Sequence, residues 1–165
     1  MATVYEGRAW VFREPNIDTD LIMPKAGFGA SREERLLLAL SALRPGWAAQ
    51  VRPGDVLVAG RNFGTGSSRP AAHHLRELGL IGIVAESMND LFLRNCVNSA
   101  LPALDCPGVL EHVSEGDRIQ FDIGSGRVEN VTTGTAIFGA AMPQMLVDII
   151  EAGGVFAQLR AAGFM

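Results

Sequence analysis

Gly64-Thr65-Gly66-Ser67-Ser68-Arg69 brings two glycines, three hydroxyls and a guanidinium into one short stretch. It follows DVLVAG (55–60), a short apolar run of strand type, and precedes AAHHLREL (71–78), which reads as a helix with Pro70 in its first turn and Gly79 as its C-terminal cap. A loop that leaves a parallel strand and enters a helix lies where open α/β sheets bind ligands. The glycines let the backbone approach a ligand, and the amides of Ser67, Ser68 and Arg69 would point into the loop. Helix amides and the helix dipole favour an anion there, and Arg69 offers a fork suited to a carboxylate or phosphate. The sequence therefore proposes an anion site holding two serine hydroxyls, with a plain structural turn as the competing reading. No Gly-Lys-Ser/Thr follows, so the loop is not of the Walker type. Pro70 and Ala71 stand where a dinucleotide loop would have its third glycine, and no G-x-S-x-G elbow surrounds Ser67 or Ser68.

Other candidates have ordinary explanations. His73 and His74 are neighbours on a helix and point about 100° apart, which suits surface or subunit contacts better than one shared metal. His112 lies near a predicted turn without a paired ligand. Asp18 and Asp20 flank Thr19 in a turn-rich segment; such acids can do acid–base work, but hydrogen bonds to local backbone, pinning the segment near the site, are the simpler role. Cys96 and Cys106 read as inert packing thiols. Two cysteines make no disulfide framework, and they are too few to hold an iron–sulfur cluster on this chain.

Positioning these residues requires a regular scaffold. Residues 8–12 read as a strand, and 13–24 as an extended, turn-rich segment bounded by Pro15 and Pro24. Residues 25–30 read as a mobile loop. A helix begins at Ser31, whose spacing to Glu34 fits a capping box, and ends at Arg44-Pro45-Gly46. Its leucine run, 36–40, is core or subunit interface. After the strand–loop–helix already described, 80–85 reads as a second apolar strand. Residues 87–100 read as a helix capped by Ser87, and 101–104 as a third strand. This β-α-β-α-β order predicts parallel strands with right-handed crossovers. Residues 117–123 and 127–133, separated by Gly124-Ser125-Gly126, form a hairpin pattern. A helix over about 143–152 ends at Gly153-Gly154, and a short final helix follows. The whole, 1–165, reads as a single domain.

With 14 basic and 18 acidic residues, the formal net charge is 14 − 18 = −4. That excess is the wrong sign for nucleic acid or an anionic membrane surface. No run approaches the roughly 20 apolar residues of a membrane span. The N-terminus lacks the apolar core of a secretory signal, so the expected compartment is the cytoplasm. Hydrophobic residues make up 48% and charged residues 19%, which excludes disorder and hints that a partner covers part of the surface.

RNFGTGSSR (61–69) resembles the NFGxGSSR motif of the small subunit of 3-isopropylmalate dehydratase, the swivel domain of the aconitase superfamily. The likeness extends to NIDTDLIMP (16–24), VRPGDVLVAG (51–60), LFLRNCVNSALPAL (91–104) and EAGG (151–154), in order along nearly the whole chain. It implies an aconitase-type swivelling β/β/α domain, here a β-α-β-α-β parallel core with an added β-hairpin layer. It also implies half of a hydro-lyase that dehydrates and rehydrates a hydroxy diacid. By resemblance, a large subunit carries a [4Fe–4S] cluster that draws off the substrate hydroxyl, a poor leaving group that needs a Lewis acid. This chain would bind no cofactor itself. Its Ser67 would act as the base, as an alkoxide stabilised by the loop amides and Arg69. Ser68 and Arg69 would bind the substrate carboxylate, with Gly66, Thr65 and Asn62 as further substrate-binding residues. Arg13 would also reach a substrate carboxylate, since the superfamily places an arginine just before the DTD segment, with the register here one residue off.

Three positions depart from the family pattern. Thr65 stands where cysteine is common, and Pro70-Ala71-Ala72 replaces the usual Glu-His-Ala. Lys25, Gly27 and Phe28, within residues 25–30, replace a Tyr-Leu-containing loop that in the family helps recognise the substrate side chain. The expected reaction is the 3-isopropylmalate/2-isopropylmalate isomerisation of leucine synthesis, with a methylmalate- or homocitrate-type substrate as the variant. A non-catalytic anion-binding or regulatory module retaining the fold is the alternative, and a serine hydrolase using Ser67 with a histidine is a third.

Overall fold

The computed structural model describes residues 4–66 and 69–164. Its organising element is a long strand, β1 (Val4–Phe12), that serves two sheet regions at once. The second half, Ala9–Phe12, pairs in parallel with β2 (Val56–Ala59). β2 pairs in parallel with β3 (Gly82–Ala85), and β3 with β4 (Ala103–Asp105). The first half, Val4–Arg8, pairs antiparallel with β5 (Arg118–Asp122), which continues through β6 (Arg127–Asn130) to β7 (Thr135–Phe138). The spatial order among the described residues is β4-β3-β2-β1-β5-β6-β7. The predicted parallel core and hairpin are thus joined edge to edge through β1.

Seven helices accompany the sheet among the described residues: α1 (Thr19–Ile22), α2 (Arg32–Leu37), α3 (Ala71–Leu78), α4 (Asp90–Asn98), α5 (Val109–His112), α6 (Gln144–Glu151) and α7 (Val155–Ala161). The strands β2 and β3 are buried along their whole length, as expected for parallel strands covered on both faces. Their side chains alternate between two cores. Leu57, Ala59, Ile83 and Ala85 join Phe12, Trp47, Leu75 and Phe92 on one face. Val56, Val58 and Val84 join Phe121, Val109, Val147 and Ile150 on the other.

Several sequence expectations are corrected here. The helix beginning at Ser31 does carry its cap, with the Glu34 amide donating to Ser31 Oγ at 3.2 Å, but it ends at Leu37. Leu40 adopts a left-handed φ of 55° and its amide donates to the Leu21 carbonyl at 3.0 Å, so burial of Ala39 and Leu40 overrides the helical run. The helix placed at 87–100 begins at Asp90, because Asn89 rather than Ser87 caps it by accepting from the Leu91 amide. Residues 25–30 are not featureless: Lys25–Gly27 form a 3-10 turn. Neither α5 nor β7 was anticipated from the sequence.

Candidate active site

The loops that leave β1, β2 and β3 converge at the carboxyl ends of the parallel strands. Residues 61–65 run beside 16–19. The Asn16 amide donates to the Arg61 carbonyl at 2.8 Å, Gly64 to Ile17 at 2.8 Å, and Thr19 to Thr65 at 2.9 Å. On the opposite flank, the Phe63 amide donates to the Ser87 carbonyl at 3.1 Å, and Asn89 donates back to Phe63 at 2.9 Å. The glycine loop is therefore held between the DTD segment and the β3–α4 connection. Asn16 and Asn62 both sit at left-handed φ, 58° and 56°, which asparagine tolerates better than most side chains. The Asn62 side-chain amide donates to Asn16 Oδ1 at 2.9 Å, so Asn62 braces the loop.

Gly64 is required by both conformation and space. Its φ is +80°, and a Cβ there would lie 2.1 Å from Phe92 Cγ. Phe92 packs edge-on against Phe63 with ring centroids 5.3 Å apart, so the loop is seated on an aromatic floor. Gly66, at φ +98°, is exposed, and a Cβ there would lie 3.3 Å from Asp18 Cβ. Thr65 is half-buried, and its carbonyl serves the Thr19 amide. Ser67 and Ser68, which the family resemblance implies as base and carboxylate ligand, lie outside the described residues.

Arg69, the next candidate along the loop, has well-defined contacts. One guanidinium nitrogen donates to the Met23 carbonyl at 2.6 Å and lies 3.1 Å from the Asp20 carboxylate. The guanidinium stacks over the Phe28 ring at 4.8 Å from its centroid, a cation–π contact. Its side chain is only 22% exposed. These contacts engage one guanidinium nitrogen and one face of the group. Asp18 performs the local role expected of it, capping α1 by accepting from the Leu21 amide at 2.9 Å. Asp20 reaches further than that, to Arg69. It lies 49 positions earlier in the chain, and the only cue was its place in the DTD segment.

The remaining candidates fall into separate places. Phe28 lies under Arg69, whereas Lys25 is exposed and Gly27 packs against Arg35. Arg13 turns to the neighbouring side of the strand ends. It donates to the Leu110 carbonyl at 3.0 Å and lines a cleft of about 440 Å³ with Arg61 and Glu86. The Glu86 carboxylate accepts from the Gly108 and Leu110 amides at 2.9 and 2.8 Å. His73 is exposed and pairs with Glu77 at 2.7 Å. His74, in contrast to the surface role expected of it, is buried, and burial lowers its pKa so that the neutral ring is favoured.

Both cysteines are free and buried. Burial pushes the Cys106 thiol to about 11 and the Cys96 thiol higher still. Among the described residues, no three His, Cys, Asp or Glu side chains group as metal ligands. The two thiols are buried, whereas an iron–sulfur cluster is held by accessible thiolates. No helix among the described residues is long and apolar enough to cross a membrane.

Comparison with known proteins agrees with this architecture. Residues 46–107, which contain the glycine loop and α3, match the aconitase C-terminal domain. The chain is 36% identical over 162 residues to the isopropylmalate/citramalate isomerase small subunit of Methanocaldococcus jannaschii, covering 97% of this chain and 96% of that one. It is 41% identical over 157 residues to the 3-isopropylmalate dehydratase small subunit of Pyrobaculum aerophilum, covering 93% and 96%. A crystal structure of 3-isopropylmalate dehydratase from Methanocaldococcus jannaschii superposes with a TM-score of 0.87 at 26% identity, covering 96% of this chain and 95% of that one. Similarity of this degree, running through the loop, its clamp and both halves of the sheet, shows that the chain belongs to the 3-isopropylmalate dehydratase small-subunit family, within the aconitase superfamily.

Proposed function

We propose that this chain is the small subunit of a hydro-lyase that isomerises a 2- or 3-hydroxy diacid, working in the cytoplasm with a larger partner. The observation that carries the reading is Arg69, held by Asp20, Met23 and Phe28 at the end of a loop clamped on both flanks. A guanidinium fixed on one edge, beside a loop of amides and hydroxyls, binds and orients a carboxylate.

In this reading Ser67 removes the proton on the carbon next to that carboxylate. An unassisted serine hydroxyl is far too weak a base. Donors aimed at the oxyanion, and the positive charge of Arg69, lower the cost of its alkoxide form. Ser68 and Arg69 hold the carboxylate, and the loop backbone fixes the distance between base and carbon. Removal of the hydroxyl is left to the partner, which by family resemblance holds the [4Fe–4S] cluster.

In this reading the substrate side chain is received near Phe28. A cleft of about 410 Å³ is lined by Met23 and Phe28, the two residues that also contact Arg69, together with Leu36, Pro70, Arg32, Arg35 and His73 among others. Arg32 and His73 at its edge are both engaged by Glu77. Met23, Phe28, Leu36 and Pro70 give an alkyl group a wall, as an isopropyl- or methylmalate needs, while Arg35 at the same cleft leaves room for a substrate with a further carboxylate. The test is to mix the chain with its cognate large subunit under anaerobic conditions and follow hydration of the unsaturated diacids. The reading expects activity only in the mixture. A stable complex inactive on every hydroxy diacid would favour the non-catalytic alternative.

A further inference from the structure

The EAGG motif at 151–154 takes no part in the site above, yet its glutamate stands at a cavity. Both Glu151 carboxylate oxygens are shut off from solvent and have no hydrogen-bond partner among the described residues. Glu151 is also the last residue of α6, the end at which the helix dipole disfavours an anion. A buried, unpaired carboxylate at the negative end of a helix is costly on both counts unless a cation meets it.

Glu151 lines a cleft of about 570 Å³ at the amino ends of the parallel strands, the opposite end from Arg69. That volume is in the range of small-molecule sites. Leu80, Leu101 and Ile150 supply apolar walls, and the Arg76 side chain stands at the same cleft. Tyr5 lines it too; burial, and then the Glu151 charge, push its pKa above the ordinary range, so it remains a neutral hydroxyl. The cleft thus has a guanidinium that can take an anion and aliphatic surface beside it, with Glu151 at its wall, its carboxylate oxygens turned out of solvent in this structure.

We propose that this cleft binds a small apolar α-amino acid, with its ammonium group on Glu151, its carboxylate on Arg76 and its side chain against Leu80, Leu101 and Ile150. Rotation of the Glu151 side chain toward the cleft replaces an unpaired buried charge with a paired one. The site is independent of the catalytic reading and would place a regulatory ligand across the sheet from the glycine loop.

Titration calorimetry of the full chain with L-leucine, L-valine and L-methionine tests this. The expected result is saturable binding of at least one of them at one site per chain. Blocking the ammonium, as in the N-acetylated amino acid, should abolish binding. Glu151→Gln and, separately, Arg76→Gln should each weaken binding by about tenfold or more, the size of a lost charged hydrogen bond. Arg76 is exposed, so its variant remains informative if Glu151→Gln does not fold by circular dichroism. No binding of any of the three amino acids, or equal binding by the folded variants, would overturn the proposal. So would a Glu151→Gln chain that keeps amino-acid binding but loses assembly with the large subunit, since that would make the carboxylate a partner contact.

Discussion

Asp20 and Arg69 meet at 3.1 Å across the mouth of the glycine loop, joining the DTD segment to the loop chemically as well as through the backbone. Asp20 touches no substrate in this account; it positions the guanidinium that does. Asp20→Asn, assembled with the large subunit, should therefore raise KM about tenfold with a smaller change in kcat. Arg69→Lys keeps the charge but loses the fork and its stacking on Phe28, and should raise KM by more. Steady-state kinetics of the two variants check the order; an unchanged KM in both would remove Arg69 from carboxylate binding.

Gly64 should be the least replaceable position in the loop. Gly64→Ala combines a left-handed φ with a Cβ driven into Phe92, so a loss of several kcal/mol is expected from strain plus overpacking. Thermal unfolding measures it. Gly66→Ala, with 3.3 Å to its nearest neighbour, should cost less, chiefly through its backbone angle.

Asp55 anchors the start of β2. Burial works to raise its pKa. Bonds from Arg8, from the Arg52 amide and from the Trp10 indole, with the Arg8 charge, outweigh that and hold it below the ordinary carboxylate value. A group whose folded pKa is depressed stabilises above its unfolded pKa, near 4, and that contribution disappears as pH falls through the folded value. Asp55→Asn should lower stability at neutral pH by roughly 2 kcal/mol, and the gap to the wild type should close as pH drops below about 4. Denaturant unfolding at neutral and acidic pH checks both halves.

The thiols should be inert in the native chain. With Cys96 and Cys106 buried and their pKa values raised, alkylation near neutral pH should await unfolding. Mass spectrometry before and after denaturant should show none, then two, modified cysteines; rapid native labelling would contradict the burial assigned to them.

Legibility followed locality. The α3 boundaries were readable because Pro70 and Gly79 punctuate them, and the Ser31 cap because its partner, Glu34, lies three residues away. The Gly124-Ser125-Gly126 hairpin was local in the same way. What failed depends on distant chain. The apolar run after Leu37 leaves the helix because Leu40 bonds to Leu21. Strand β7 exists because β6 offers it an edge. Within the site, the position of the glycine loop between β2 and α3 was legible from the apolar run before it and the helical pattern after it. The Asp20 and Phe28 contacts that aim Arg69 were not, since no spacing rule links residues so far apart in sequence.

The most direct test of the central claim is the turnover of Ser67→Ala in complex with the large subunit. If the loop hydroxyl takes the carbon-bound proton, kcat should fall by about two to four orders of magnitude, as for loss of an acid–base group, while complex formation and KM change little. Turnover close to that of the wild type in an assembled Ser67→Ala complex would contradict the account.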